Sequence, residues 1–327
     1  MKDNAEEAIQ QLLKHKNLNL ELGDSDTFNY GRIPFNIPAL DQLTGGGIPK
    51  KRFTLIYGPT NVGKSYLASQ VVVNVQKDGG NAAWIDTELS WDSKWMAKCG
   101  IDTSSILVAQ PTNGEDALNT IRELMDAGID IIVLDSIAGL VPSAVQEEDF
   151  GYSPMAWQAR FVNSALPKLL AHLGKGSAFL AINQVRQSLG PVALDNMPGG
   201  VAQSFFAHFL IQVRRAGWIK EKQGKKEQNV GFDMEIRLRK TKVGGENWKS
   251  AIVPFRVDGG IDILESYIRE GIAQKMIIQT GAWYTYRETK VMGLNSVKEY
   301  FTENPEEFQK LKDEFYETRK FNCRMFR

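Results

Sequence analysis

The sequence predicts an α/β protein with a mostly parallel central sheet, because strand-like runs alternate along the chain with amphipathic stretches. Two of these stretches, Ser65 to Gln76 and Gly114 to Ala127, have the apolar spacing of helices. Asp233 to Arg239 and Ala251 to Val257 are expected to be later, antiparallel strands. The earlier runs have mainly apolar interiors, which indicates strands buried on both faces. They are RFTLIYG at 52–58, NAAWID at 81–86, DIIVLD at 130–135 and SAFLAIN at 177–183.

Two smaller segments flank this core, which we expect to span residues 31–264. In residues 1–30, Asp3 and Glu6 can form a capping box at the start of a helix. Leu18, Leu20 and Leu22 then alternate with polar residues, which predicts a short strand. This appendage could simply pack on its own domain. Residues 265–327 are richer in helix-forming and charged residues, and predict a small C-terminal α+β domain.

The composition excludes several classes of protein. Basic and acidic residues number 39 each, so any nucleic-acid binding must come from local clustering of charge. Cys99 and Cys323 lack metal-ligand spacing, and a disulfide framework is implausible. The segment MKDNAEEAIQ lacks the apolar core of a signal peptide, and no apolar run approaches about 18 residues. We therefore expect a cytoplasmic protein with no membrane partner.

The segment GPTNVGKS at residues 58–65 fits the phosphate-loop pattern G-x-x-x-x-G-K-[ST], between an apolar strand and a helical stretch. In such a loop, backbone N–H groups surround phosphate at the positive end of the helix. Lys64 is expected to reach the β and γ phosphates, and Ser65 to hold Mg²⁺. The alternative is a chance glycine-rich turn. The predicted nucleotide-contacting residues here are Gly58, Pro59, Thr60, Asn61, Val62, Gly63, Lys64, Ser65 and Tyr66.

Carboxylates follow two of the predicted strands. Asp135 ends the run IIVLD, where it could join the metal shell or, alternatively, cap a helix together with Ser136. Glu88 follows AAWID at the carboxyl edge of the sheet, where ligands bind. A carboxylate there could deprotonate the water that attacks the γ-phosphate. Asp86 and Glu88 both compete for this role, and their spacing alone does not choose between them.

These motifs, taken together, resemble those of the RecA family of bacterial recombinases and their phage relatives, from LNLELG at 18–23 to GAWYTY at 281–286. The family's phosphate loop is GPESSGKT-like, and its VIVVDS strand is matched by IIVLDS, which supports Asp135. Its segment FIDAEHALD is similar to WIDTELSWD, and the resemblance selects Glu88 as the general base. It also implies that Asp92 and Trp95 flank the adenine of ATP, although Trp95 could instead be a core residue.

The resemblance extends to residues that would respond to bound ATP. The family's FINQIR is matched by AINQVR, which implies that Gln184 senses the γ-phosphate. Its K-N-K segment is similar to KTK, so Lys240 and Lys242 are implied to reach the ATP of the neighbouring subunit. Alternatively, these lysines are the solvated end of a basic strand. The resemblance thus implies ATP and Mg²⁺ as cofactors and a homo-oligomer, a helical filament with ATP at its subunit interfaces.

Two irregular stretches, at about 142–157 and 186–200, match the DNA-binding loops of the family. Arginines there could neutralise phosphates, and glycine N–H groups could approach the DNA backbone closely. Met155 could wedge between bases or pack in a core. The second loop contains no aromatic residue, so base stacking within it is not expected. The residues implied to contact DNA are Met155, Arg160, Arg186, Gly199 and Gly200.

Other positions have two interpretations. Phe205 matches an aromatic that contacts the neighbouring subunit in the family, but could be a buried core residue. Pro167 and Ser188 stand where the family often has basic residues, so this chain departs from the family there. A basic cluster is a candidate for a secondary DNA-strand site or a solvated hairpin tip; its members are Arg214, Arg215, Lys220, Lys222, Lys225 and Lys226.

The resemblance implies an ATP-dependent protein of homologous recombination and DNA repair. Such a protein forms filaments on single-stranded DNA, pairs that DNA with a homologous duplex and hydrolyses ATP in response to DNA. Two alternatives remain open. One is a hexameric helicase or translocase built on the same core, and the other is a nucleotide-binding scaffold that does not recombine DNA.

Overall fold

The structure, a computed structural model, describes residues 2–15, 20–23, 25, 28, 30–146, 155–185, 197–223 and 226–324. The first half of the chain alternates strands and helices: α1 Lys2–Leu13, β1 Arg32–Ile33, α2 Pro38–Thr44, β2 Ile48–Pro49, β3 Phe53–Gly58, α3 Lys64–Lys77, β4 Ala82–Asp86, α4 Ser93–Lys98, β5 Ile106–Ala109, α5 Gly114–Asp126, β6 Ile131–Asp135 and α6 Ser143–Gln146.

The second half begins with a long helix and then becomes richer in antiparallel strands. Its elements are α7 Met155–Leu170, β7 Ala178–Gln184, α8 Ala202–Phe206, β8 Phe209–Gln223, β9 Lys226–Thr241, β10 Ser250–Arg256, β11 Gly260–Ile261, α9 Ile263–Ala273, β12 Ile278–Thr280, β13 Trp283–Tyr286, β14 Thr289–Met292, α10 Leu294–Glu303 and α11 Pro305–Arg324.

A nine-stranded sheet forms the centre of the molecule, in the order β11-β10-β9-β8-β3-β7-β6-β4-β5. The strands from β8 to β5 run parallel. Strands β9, β10 and β11 extend the sheet in antiparallel fashion. The predicted α/β class with a mostly parallel sheet is therefore confirmed, and so are the later antiparallel strands, of which β9 is longer than expected.

Both faces of the inner parallel strands β3, β4, β6 and β7 are buried, as their apolar sequences predict. In β6, Ile131 and Val133 pack into the core on one face of the sheet. Ile132 and Leu134 pack into the core on the opposite face. Successive side chains of a strand point to opposite faces, so a continuous apolar run supplies two cores at once.

The N-terminal segment contains the predicted helix as α1, but the described part of the predicted strand, residues 20–22, is not a strand. Leu18 lies outside the described residues, and residues 20–22 have no strand structure. Leu20 and Leu22 are 46% and 53% exposed. A strand requires a neighbour that shares its backbone hydrogen bonds, and none of the described parts of the single chain pairs with this segment.

The C-terminal segment has its own small core, as predicted for an α+β unit. Strands β12, β13 and β14 form a three-stranded antiparallel sheet beside α9, α10 and α11. Tyr267, Phe301 and Phe315 are among its buried residues. Arg269 of α9 links this unit to the central sheet through a 2.7 Å ion pair with Asp233 of β9. Within the described residues, no helix combines the length and apolarity needed to span a bilayer.

Candidate active site and nucleic-acid interface

The carboxyl ends of the central strands bring together Lys64, Glu88 and Gln184 of the predicted catalytic residues. Lys240 and Lys242 lie elsewhere, since Lys242 N donates to His208, whose own N–H donates to Phe53 at the opposite end of β3. Gly58, which begins the phosphate loop, lies beside Gln184 in the β3–β7 register. Asp86 lies beside Asp135 in the β4–β6 register. Because β3, β7, β6 and β4 are neighbours in the sheet, their ends form one continuous edge at which a ligand can bind.

The phosphate loop has a tightly constrained backbone. Asn61 and Gly63 have positive φ angles of 55° and 87°. The positive φ of Gly63 favours glycine, and a Cβ atom there would also lie 2.4 Å from Cε of Met234, which would have to move. The Lys64 ammonium turns back over the loop and donates a 2.6 Å hydrogen bond to the carbonyl of Pro59. Burial lowers the pKa of Lys64, and the negative charges of Asp135 and Glu88 partly oppose this shift.

Ser65 and Asp135 present a pair of oxygen ligands beside the loop. The Ser65 hydroxyl donates a 2.7 Å hydrogen bond to Oδ2 of Asp135. Burial raises the pKa of Asp135 to about 6, and the nearby carboxylates of Glu88 and Asp86 also raise it. Hydroxyl and carboxylate oxygens are the ligands that Mg²⁺ prefers, together with phosphates of its nucleotide, so this pair fits the predicted metal site. The alternative role in helix capping is wrong, since no side chain caps the turn that begins at Ile137.

The structure distinguishes Asp86 from Glu88. Asp86 is fully buried and accepts hydrogen bonds from Trp91 N at 2.9 Å and from Gln110 Nε2 at 2.9 Å, as well as from Glu88 N and Ser90 Oγ at 3.3 Å. Burial alone would raise the pKa of Asp86, but these hydrogen bonds outweigh it and lower the pKa. Asp86 therefore holds the turn that carries Glu88, whose own side chain is exposed.

Glu88 occupies the centre of a small hydrogen-bonded group. Its Oε1 atom accepts a 2.5 Å bond from the Ser136 hydroxyl and a 2.7 Å bond from Nε2 of Gln184. These partners come from the ends of β6 and β7, so three neighbouring strands supply the group. A carboxylate held in this way can accept a proton from water, and Gln184 can change hydrogen-bond partner when an anion enters.

The residues predicted to flank a nucleobase lie at the surface near Glu88. Asp92 caps α4 by accepting hydrogen bonds from Lys94 N at 2.8 Å and from Trp95 N at 3.1 Å. Trp95 is 39% exposed, so the alternative of a fully packed core residue is wrong. Tyr66 has a packing role as well, because its ring lies against Phe255 with centroids 5.3 Å apart.

Lys240 and Lys242 lie together on the surface beside α8, away from any ion-pair partner within the described parts of the chain. Lys240 Nζ donates to the carbonyls of Ser204 and Phe205 at 2.8 and 2.7 Å. Lys242 Nζ donates to the carbonyl of Phe205 at 3.0 Å. Burial, followed by repulsion from Lys242, lowers the pKa of Lys240. The two charges form a cationic site rather than a fully solvated strand end.

Phe205 is not a core residue, because its side chain is 70% exposed. Its ring centroid lies 5.8 Å from Lys240 Nζ and 5.5 Å from Lys242 Nζ. Phe205 also lines the same surface pocket of about 690 Å³ as Lys240 and Trp248. The interpretation of Phe205 as a buried phenylalanine is therefore wrong, and an aromatic exposed between two lysines is suited to contact another surface.

The residues predicted to contact DNA are only partly described. Arg186 and the side chain of Met155 lie outside the described residues, although Met155 begins α7. Arg160 is exposed on α7. Gly199 and Gly200 have φ angles of 83° and 78°. Gly199 is buried, and a Cβ atom there would lie 2.9 Å from Ile137 Cγ2, so packing also requires this glycine.

Sequence reasoning missed an amide pair that anchors the end of the second loop. Gln203 is fully buried and donates to the carbonyls of Pro198 and Gly200 at 2.6 and 2.8 Å. Asn183 donates to Gln203 Oε1 at 2.7 Å and to the Pro198 carbonyl at 2.8 Å. The available signal was two amides in otherwise apolar segments on either side of the loop. The pair connects the residue before Gln184 to the end of that loop.

The basic cluster lies on the hairpin formed by β8 and β9. Arg215 stacks its guanidinium 4.0 Å from the ring centroid of Trp218. Lys220 lies 3.6 Å from Glu227, and both side chains are exposed. Lys225 and the side chains of Lys222 and Lys226 lie outside the described residues. The cluster thus remains a candidate DNA-strand site.

Comparisons with known proteins agree with this arrangement. A family model described as the RecA N-terminal domain matches residues 3–262. The chain is 33% identical over 318 residues to Protein RecA of Acinetobacter baylyi, covering 94% of this chain and 90% of that protein. It is 36% identical over 279 residues to Protein RecA of Streptococcus pneumoniae, covering 84% of this chain and 72% of that protein. The chain therefore belongs to the RecA family.

Proposed function

We propose that the chain is an ATP-dependent recombination protein that polymerises on single-stranded DNA and pairs it with a homologous duplex. The observation that carries the proposal is the 2.7 Å hydrogen bond from Gln184 to Glu88. This bond joins the candidate general base to the residue at the root of the second candidate DNA loop. RecA family members are DNA-dependent ATPases, and membership is the second support.

In this proposal ATP is bound and hydrolysed at the edge of the sheet that the carboxyl ends of β3, β7, β6 and β4 form. Lys64 and the backbone N–H groups of residues 58–65 bind the phosphates, while Asp92 and Trp95 lie beside the adenine. Ser65 and Asp135 hold Mg²⁺, which neutralises charge on the phosphates. Glu88 accepts a proton from the water that attacks the γ-phosphate. Asp86 does not take this role in the proposal, because its buried carboxylate already accepts four hydrogen bonds.

Gln184 makes the site responsive to DNA. When ATP is bound, the Gln184 amide donates to the γ-phosphate, and this contact draws the end of β7 toward the nucleotide. The adjacent Asn183 passes the change to Gln203 and Pro198 through bonds of 2.7 and 2.8 Å. Loss of the γ-phosphate returns Gln184 to Glu88 and loosens the loop from DNA. Such gain and loss of a γ-phosphate contact is a common switching device.

Lys240 and Lys242 supply the second half of the site in the next subunit. Their ammonium groups share the Phe205 carbonyl and are available to an incoming phosphate. When a different surface of the next copy completes the site, the subunits assemble head to tail. Such an assembly extends as a helical filament when the rotation between subunits does not close a ring. Phe205, exposed between these lysines, contacts the same neighbour.

The N-terminal segment supplies a further contact between subunits. Leu20 and Leu22 are exposed in the single chain, and strand β5 lies at the edge of the central sheet. Leu107 and Val108 of β5 are 56% and 39% exposed. An exposed edge strand can accept a strand from another chain. We therefore propose that the Leu18–Leu22 segment of one subunit docks onto the next subunit.

The two loops at 142–157 and 186–200 face single-stranded DNA in this filament. Arg160 and Arg186 neutralise phosphates, while the N–H groups of Gly199 and Gly200 approach the backbone at the end of the second loop. Met155 inserts between bases. The basic cluster on the β8–β9 hairpin is the candidate site for the second DNA strand.

The proposal is tested by the ATPase rate with and without single-stranded DNA, together with invasion of a homologous duplex. We expect DNA to stimulate hydrolysis, filaments to form with ATP, and Lys64→Ala to abolish strand invasion. ATP-driven unwinding of duplex DNA without strand invasion would instead identify a helicase. Nucleotide-dependent assembly without either activity would identify a scaffold.

A further inference from the structure

A tryptophan lies on the solvent-facing side of α7, in the first turn of the helix, where the first candidate DNA loop ends. The side chain of Trp157 is 45% exposed. Val162, Leu166 and Leu169 of the same helix are only 3–5% exposed and supply its core-facing side. Tryptophan has a large aromatic surface, and nearly half of this one is open to solvent.

An arginine lies beside the indole ring. The guanidinium carbon of Arg160 is 6.0 Å from the ring centroid of Trp157. The two residues are three positions apart on the helix, which puts their side chains on the same face. The distance is at the limit of a cation–π contact. The face therefore combines a flat aromatic surface with a positive charge, the combination that binds a base together with its phosphate.

The end of the second candidate loop lies against the same helix. A Cβ atom on Gly200 would be 3.2 Å from Cβ of Ala159 and 3.1 Å from Oδ1 of Asn163. Asn163 also accepts a 3.3 Å hydrogen bond from the backbone N–H of Ala202. Trp157 and Arg160 thus lie on a helix that both candidate loops adjoin.

We propose that Trp157 stacks on an unpaired base of single-stranded DNA while Arg160 binds an adjacent phosphate. This inference rests on the proposed function and adds a base-contacting residue to it. The second loop, residues 186–200, contains no aromatic side chain in its sequence, so a stacking surface must come from outside that loop, and α7 offers one in Trp157. Stacking is tolerant of sequence, because every base has an aromatic face. This tolerance suits a protein that must bind any single strand.

The test separates contacts with bases from contacts with the backbone. Binding is measured by fluorescence anisotropy at several salt concentrations, with a slowly hydrolysed ATP analogue, to a labelled thymine oligonucleotide and to an abasic strand of equal length. The variants are Trp157→Ala, Trp157→Phe and Arg160→Ala. Trp283→Ala is the matched control, because Trp283 is 44% exposed and also lies near a cation, Lys290, at 5.2 Å.

We expect the wild-type protein and Trp283→Ala to bind the thymine strand about tenfold or more tightly than the abasic strand. Trp157→Ala should lose most of this preference with little change in abasic binding, and Trp157→Phe should retain it. Arg160→Ala should weaken binding to both strands and reduce the salt dependence of affinity. The retained preference of Trp157→Phe would show that the fold tolerates substitution at this position.

An unchanged preference in Trp157→Ala would overturn the inference while leaving the proposed function intact. The inference would also be overturned if Tyr152→Ala, rather than Trp157→Ala, lost the preference for the thymine strand, since Tyr152 is an aromatic residue of the first loop. Failure of the wild-type protein to bind either strand would contradict the proposed function itself, and with it the inference.

Discussion

The amide of Gln184 donates a 2.7 Å hydrogen bond to the carboxylate of Glu88, although the two residues are 96 positions apart in the chain. One residue ends β7 and begins the second candidate DNA loop, while the other follows β4 at the phosphate-binding edge. The contact gives the candidate loop a direct connection to the group that would activate water.

Replacing Gln184 should uncouple hydrolysis from DNA. We expect Gln184→Ala to keep its affinity for ADP, because the phosphate loop is unchanged and ADP has no γ-phosphate, but to hydrolyse ATP at the DNA-free rate even when DNA is present. The measurement is the steady-state ATPase rate with and without single-stranded DNA, with nucleotide affinity as the control. A variant that DNA still stimulates to the wild-type extent would refute the role of Gln184.

Removal of Asp86, at the end of β4, should have a different effect from removal of Glu88, in the turn that follows. Glu88→Gln should lower ATP turnover by about a hundredfold to ten-thousandfold, the contribution of a general base, with little change in the free energy of unfolding. Asp86→Ala should lower the free energy of unfolding by about 1–3 kcal/mol, because it removes a buried carboxylate that accepts four hydrogen bonds from part-buried donors. Turnover and thermal unfolding of both variants check this assignment. A stable Asp86→Ala protein with impaired turnover would reverse it.

Stability should fall at mildly acidic pH because of His208. Burial, followed by the charges of Arg52, Lys242 and Lys240, lowers the pKa of His208 from 6.5 to about 4. Unfolding therefore takes up a proton between these values, so stability is complete above pH 6.5 and declines as pH falls toward 4. The melting temperature of His208→Asn should vary less over this range. Asparagine can keep the hydrogen bond that Nδ1 accepts from Phe53 N at 3.3 Å. Parallel melting curves for the two proteins would show that another group controls the decline.

Much of the fold was predictable from local sequence. The run IIVL at 131–134 is apolar at every position, and only a strand covered on both faces buries all four side chains. The phosphate loop was predictable because its glycines and Lys64 follow from backbone geometry and phosphate chemistry. The helix boundaries of α3 and α5 differ from the predicted ones by one residue at most at each end.

The remaining features depend on partners that are distant in the chain. Asp86 and Glu88 could not be separated by spacing, since the hydrogen bond from Gln110 that helps to hold Asp86 comes from beyond the next strand. Exposure of Phe205 depends on where α8 lies against β9, which no periodic pattern in a short helix reveals. The Leu18–Leu22 strand was predicted from alternation alone, and alternation does not supply the neighbour that a strand needs.

The central claim is that each active site is shared by two subunits on single-stranded DNA. Mixing two inactive variants, Glu88→Gln and Lys240→Ala, tests this claim most directly. At an equal ratio, about a quarter of randomly formed head-to-tail interfaces combine the intact Glu88 of one subunit with the intact Lys240 of the next. We predict that the mixture recovers about that fraction of the wild-type DNA-dependent ATPase rate. A mixture as inactive as its separate components would contradict the shared site.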